Sequence, residues 1–317
     1  MGHCVSEPRN SVRRLFLCGL CAGWSVTLLL GCTSNGPSAS GSKLEPGAMA
    51  ESAGAPAPQP GLPEAQQPEL RAEVINLATA LGVPDPDPVG VAVDPDTGDR
   101  YVLDAANGLF RLVDGGAQRV ARLDELVDPS APLASALTDL AACGEGRLLL
   151  TARNDGFLFD LQTRLMQRHF CYVPSVVTNV DADASQLTAS VACDATRIFA
   201  QPFTYDGGGN FTKSEIGVWN LETGVDENWY FLADQSFLAG GMAVWDANHL
   251  VLGRGSSLQF FDLNSHMLSA TVSVAEYGVR NADGLAYDRA RSEILITDAS
   301  HDSLVVIPVG LLELPAM

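Results

Sequence analysis

Gly90-Val91-Ala92-Val93-Asp94, followed by Tyr101-Val102-Leu103-Asp104-Ala105-Ala106-Asn107, returns near the end of the chain as Gly284-Leu285-Ala286-Tyr287-Asp288 and Leu295-Ile296-Thr297-Asp298-Ala299-Ser300-His301. Spacing between the two halves is the same in both copies. Each half is a short apolar run closed by turn-forming residues, which reads as a strand. Weaker copies open at Asp139-Leu140-Ala141-Ala142, Ser190-Val191-Ala192-Cys193 and Met242-Ala243-Val244-Trp245-Asp246, each with a second apolar run behind it (148–151, 198–200, 250–252). Repetition takes precedence over element assignment, because a unit that cannot bury its own apolar face must stack on its neighbours.

A third run in each of three units ends in a shared turn: Phe159-Asp160-Leu161-Gln162-Thr163, Trp219-Asn220-Leu221-Glu222-Thr223 and Phe261-Asp262-Leu263-Asn264-Ser265. Asp or Asn followed by a polar pair closes a hairpin. Fourth runs fall at 118–123, 165–173, 228–233 and 268–274. The last unit has three strands (284–288, 293–297, 303–308), and Ala72-Glu73-Val74-Ile75-Asn76-Leu77 has the composition to supply its fourth and close a ring, which removes exposed sheet edges. Four strands per unit at roughly 43 to 51 residues predict an all-β fold, a β-propeller of four-stranded blades. Five blades are expected; six is the alternative, with further strands in 171–189.

Three segments are expected: 1–31 a leader, 32–69 a tether, and 70–317 the propeller. Arg13 and Arg14 precede an uncharged apolar run from Leu15 to Leu30, shorter than the roughly 20 residues of a spanning helix and basic in front, as in a secretory leader. Leu29-Leu30-Gly31-Cys32 resembles the lipobox of bacterial lipoproteins. The resemblance implies cleavage between Gly31 and Cys32, lipidation of Cys32, and, with Thr33 next, sorting to the outer membrane, facing periplasm or cell surface. Arg13-Arg14-Leu15-Phe16-Leu17 also resembles a twin-arginine export signal, with Val12 where Ser or Thr is usual. The tether is rich in Gly, Pro, Ser, Ala and Gln, too poor in apolar groups to fold; its r.m.s. reach is on the order of 35 Å.

Formal charge is −19 over the 317 residues, and −21 once Arg9, Arg13, Arg14 and Glu7 leave with the leader. Such a surface repels phosphate backbones and argues against nucleic acid as a partner. Cys4, Cys18 and Cys21 lie in the leader, so Cys143, Cys171 and Cys193 remain for the propeller. None has zinc spacing. One internal disulfide with a spare thiol is allowed, and so are plain buried cysteines, because Cys143 and Cys193 fall on similar repeat positions and spacing does not assign a pair.

Segments 90–112 and 284–307 resemble NHL-type repeats and the blades of the gluconolactonase family, and Trp219-Asn220-Leu221-Glu222-Thr223-Gly224 resembles a WD-type repeat ending. The gluconolactonase resemblance implies a divalent cation in the central channel on Glu, Asn and Asp ligands. Asp283, before Gly284, matches one ligand position. No Glu precedes Gly90, and Gly240-Gly241-Met242 stands where an Asn is wanted, so the ligand set is incomplete. No catalytic residue, metal or cofactor is therefore assigned; a channel cation is the alternative.

Asp94-Pro95-Asp96-Thr97-Gly98-Asp99 is read as a hairpin turn rather than a calcium loop, and Asp104 and Asp298 as caps of the turn after the second strand. His169, His249, His266 and His301 lack metal spacing, no GxSxG elbow exists, and Gly207-Gly208-Gly209 lacks a phosphate-binding context. Trp219, Trp229 and Trp245 are read as inter-blade core. Ligand-binding candidates at the channel mouth formed by second-to-third-strand and inter-blade loops are Asp139, Arg153, Asn154, Arg254, Asn281 and Asp283. The expectation is a monomeric, non-catalytic binding or scaffold propeller on a lipid anchor, meeting an envelope protein or small polar ligand. The alternatives are a metal-dependent lactonase-like hydrolase and a subunit of an outer-membrane assembly complex.

Overall fold

The computed structural model describes residues 70–126, 137–152, 155–171, 186–205, 211–232, 234 and 237–314. Arg13, Arg14, Gly31, Cys32, the tether, Arg153, Asn154 and Gly207 to Gly209 lie outside them. Five four-stranded antiparallel blades form a ring. The first blade holds β2 (Pro88–Val93), β3 (Arg100–Asp104), β4 (Gly108–Val113) and β5 (Gly116–Ala121). The second holds β6 (Leu137–Gly144), β7 (Arg147–Ala152), β8 (Asp155–Asp160) and β9 (Met166–Cys171). The third holds β10 (Gln186–Cys193), β11 (Arg197–Tyr205), β12 (Phe211–Asn220) and β13 (Asp226–Phe231). In the fourth, β14 (Gly241–Val244), β15 (His249–Arg254) and β16 (Ser257–Asp262) are followed by an outer strand broken into β17 (Met267–Leu268) and β18 (Val272–Ser273), both paired with β16.

The fifth blade is the closure expected from the sequence. Its strands β19 (Gly284–Asp288), β20 (Glu293–Asp298) and β21 (Ser303–Pro308) are completed by β1 (Glu73–Asn76). Glu73 faces Val306 and Asn76 faces Ser303, antiparallel. The following helix α1 (Leu77–Leu81) is capped by Asn76, whose side chain accepts from Thr79 N–H at 2.9 Å, and stops at Gly82 in the left-handed region.

Five apolar clusters stabilise the ring, one in each joint between neighbouring blades. The inner strands show how the sequence builds them. Successive strand residues point to opposite faces, so Val91 joins the core shared with the fifth blade while Ala92 joins the one shared with the second. The same division recurs in Leu140-Ala141, Val191-Ala192, Met242-Ala243 and Leu285-Ala286. The larger side chain always faces the preceding blade and the alanine the next one. Each fully buried Leu, Val or Phe in these joints is worth about 1.5–3 kcal/mol. Trp219 belongs to the joint between blades two and three, packed on Phe170 and Trp229, and Trp245 packs in the joint between blades four and five.

Cys143 and Cys193 are joined by a disulfide, Cα to Cα 5.0 Å, linking β6 and β10 of adjacent blades. The alternative that spacing left open is thus decided by the radial geometry: neighbouring inner strands lie side by side and bring Cys193 beside Cys143, one repeat position away.

Candidate functional site

Each inner strand hands over to the next strand through a hairpin whose first residue is Asp in four blades: Asp94, Asp194, Asp246 and Asp288. Their carboxylates accept the N–H groups of the turn, at 2.9 Å from Asp96 for Asp94, 2.8 Å from Thr196 for Asp194, 2.7 Å from Asn248 for Asp246 and 3.0 Å from Arg291 for Asp288. The outer hairpins repeat the device with Asp160, Asn220 and Asp262. Asp94 to Asp99 is the expected turn, with Gly98 at φ 72°. All these hairpins emerge on one end of the propeller, here called the hairpin face. Asp104 and Asp298 lie at the other end. Each caps its own turn and also accepts N–H groups of the loop entering its blade: Asp87 for Asp104, Arg280 and Asn281 for Asp298.

The channel is pinched at that other end. Gly90, Gly241 and Gly284 occupy the same place in their inner strands, and the blades approach so closely that a Cβ on Gly284 would sit 2.6 Å from Gly90 Cα, and one on Gly241 2.5 Å from the Gly284 carbonyl carbon. Asp139 and Ser190 hold this place in the other two blades. Toward the hairpin face the walls are built from alanines of every blade, and the channel widens into a funnel of about 950 Å³ lined by Ala92, Ala141, Ala192, Ala243 and Ala286 with the disulfide in its wall.

The rim of the funnel is a circuit of polar contacts crossing all five joints. Arg100 pairs with Asp288 at 3.1 Å and with Glu293, Asp96 accepts Glu145 N–H at 2.6 Å, and Arg147 pairs with Glu222 at 3.0 Å. Arg197 donates to the Ala247 carbonyl at 3.3 Å and Arg289 to the Trp245 carbonyl at 2.8 Å. Burial would raise the Asp288 carboxyl, but hydrogen bonds from Arg291 and Arg100 outweigh it and hold the group below its ordinary range. In Asp194 burial is likewise outweighed by the N–H groups of Thr196 and Arg197 and the Arg197 side chain. These carboxylates are ionised and engaged, which suits recognition of shape and charge more than proton transfer.

Of the candidates read from sequence, Arg153 and Asn154 lie outside the described residues; Asp139, Arg254, Asn281 and Asp283 lie at the pinched end and do not converge. Asp139 is fully buried in a joint, tied to N–H groups of Leu140 and Val191. Arg254 is half exposed, over the Phe237 ring and 3.7 Å from Asp234. Asn281 donates its side-chain amide to Asp283, whose second oxygen accepts Ala299 N–H at 2.8 Å. Burial, with Asp298 and Asp87 adding like charge, pushes the Asp283 carboxyl up to about 6. Among the described residues no three His, Cys, Asp or Glu side chains come together in a metal-holding group. Sequence reasoning missed the funnel; its signal was the alanine recurring at one place in all five units.

No family model matches this chain, and no curated protein does. Among solved structures the chain is similar to the crystal structure of Myxococcus xanthus glutaminyl cyclase, at 14% identity, with a TM-score of 0.49, covering 74% of this chain and 95% of that one. A likeness at that level says nothing of activity.

Proposed function

We propose that the chain is an exported lipoprotein, acylated at Cys32 and held in the cell envelope, with the outer membrane favoured, and that its propeller is a non-catalytic binding module using the funnel at the hairpin face. The observation that carries the reading is the funnel itself: every blade contributes to its wall, its volume falls in the range of ligand pockets, and its rim acids are engaged in turns and ion pairs. An acidic rim over apolar walls suits a small polar ligand or a loop of an envelope protein that carries positive charge. The likeness of segments 90–112 and 284–307 to NHL-type repeats belongs to this reading as a statement about architecture.

Labelled palmitate should enter the chain and fail to enter Cys32→Ala. A photo-cross-linking residue at Ala142, inside the funnel, should capture a partner in intact cells, and the same group at Arg280, on the other face, should not. Capture from both positions or neither defeats the funnel reading. A second reading, a lactonase-like hydrolase, would draw on Asp283, which accepts from Asn281 and Ala299 N–H and whose carboxyl burial pushes up to about 6. Titration with calcium or manganese, followed by thermal shift, separates the two, since an ion held by the native state must raise its stability.

A further inference from the structure

Seven large apolar side chains are exposed among the described residues, and five of them share one location. Leu165, Val225 and Met267 are the same residue of the repeat: each follows the left-handed residue of its outer hairpin, Arg164, Gly224 and His266. Val113 holds the outer hairpin of the first blade, opposite Gly116. The fifth blade has no outer hairpin because β1 arrives from elsewhere in the chain. There Leu70 takes the place, its side chain beside Gly310 where β21 ends. Every blade therefore presents one aliphatic group at the outer edge of the hairpin face, each between 43% and 69% exposed. An isolated exposed aliphatic needs no explanation, but one per blade at equivalent positions makes a ring of contact points around the funnel.

We propose that this rim rests on a lipid bilayer of net-neutral headgroups, with the hairpin face turned toward the membrane, so that the funnel opens to partners at the bilayer surface. The occupant follows from where the chain enters. β1 runs antiparallel to β21, with Glu73 at the hairpin end, so the segment before Leu70, which starts at the acylated Cys32 once the leader is cleaved, joins the propeller on this same rim. This inference rests on the membrane-anchor reading above. A lone acyl signal holds a protein only marginally, and a second, shallow apolar contact converts it into stable, oriented binding. Headgroup preference follows from charge. The outer hairpins that carry the rim also carry Asp114, Asp160, Asp226 and Asp262, so anionic lipid repels the face, and salt relieves the repulsion.

Hydrogen exchange on the full chain with phosphatidylcholine vesicles tests this, with flotation run on the same samples. The amides of 112–117, 161–167 and 222–228 should exchange roughly ten-fold more slowly on vesicles than in lipid-free buffer, while 104–108 and 298–303, on the opposite face, should not change. Adding phosphatidylglycerol should weaken the protection and raised salt restore it. Leu165→Ser/Val225→Ser/Met267→Ser, all at exposed positions, should lose the protection while the chain still floats. A chain that floats with freely exchanging rim amides overturns the rim alone. One that does not float overturns anchor and rim together. Rim protection that appears without lipid and grows with protein concentration identifies a second copy of the chain as the occupant and also overturns the proposal.

Discussion

The carboxylate of Asp139 in the second blade accepts the backbone N–H of Val191 in the third at 2.8 Å, while its other oxygen takes Leu140 N–H at the same distance. Burial pushes this carboxyl well above its ordinary range, and only the two N–H groups oppose the rise. The residue is a bolt between blades. Asp139→Ala strands two buried donors, so it should cost about 2–4 kcal/mol in urea unfolding. Asp139→Asn keeps one acceptor and should cost less; equal losses would show that charge, not donor satisfaction, matters there.

Gly284→Ala would place a methyl 2.6 Å from Gly90 Cα and 2.7 Å from Thr297 Oγ1, and the first contact is relieved only by moving backbone. We expect a loss of about 1–3 kcal/mol from overpacking. Gly116→Ala, whose added carbon would meet Ala80 O at an ordinary 3.5 Å, is the control and should leave the melting temperature within about 1 °C of the parent.

Reduction of the Cys143–Cys193 bridge releases a loop of 50 residues between two inner strands. Loop entropy of that size corresponds to about 2–4 kcal/mol. Calorimetry with and without reductant should show a fall of roughly 5–15 °C in a domain of this size, and Cys143→Ser/Cys193→Ser should reproduce it without reductant. A bridge that is absent in solution would leave both unchanged.

Asp283 gives a pH dependence of definite sign. Burial pushes its carboxyl up to about 6 in the folded chain, above the ordinary value of 3.8, so the native state holds the proton more tightly than the unfolded chain. Stability should therefore rise as pH falls from 7 toward 4. Below that range the lowered groups Asp194, Asp288 and Asp298 take over, and stability should drop as they are protonated. Asp283→Asn should flatten the upper part of the profile by on the order of 2 °C and leave the acid limb alone.

The repeat was legible because the physics that builds a blade is local: a strand period of two, an Asx turn after the first and third strands, and a large residue followed by alanine at the axis. Ring closure was legible too, since a unit one strand short needs a donor and only 72–77 precedes the first blade. The disulfide was not, because linear spacing does not say which residues of neighbouring inner strands touch. The funnel was missed for another reason. Asp94 and Asp96 on its rim were read as parts of a hairpin turn, and a satisfied turn gives no sign of a cavity beside it; the space comes from alanines whose effect exists only when five of them face one axis. Loop chemistry pointed instead to Asp139, Asn281 and Asp283, which serve the glycine-pinched end.

Because the ring is fastened by β1, and the segment before Leu70 leads straight out of that strand, any tension along the leash is delivered to the clasp before any other part of the fold. Four residues of ladder and the buried Leu77 and Leu81 of α1 behind them would bear it. A propeller fastened this way is strongest when slack and is opened from its point of attachment, so pulled molecules should yield first at the fifth blade while the disulfide-joined second and third blades hold together.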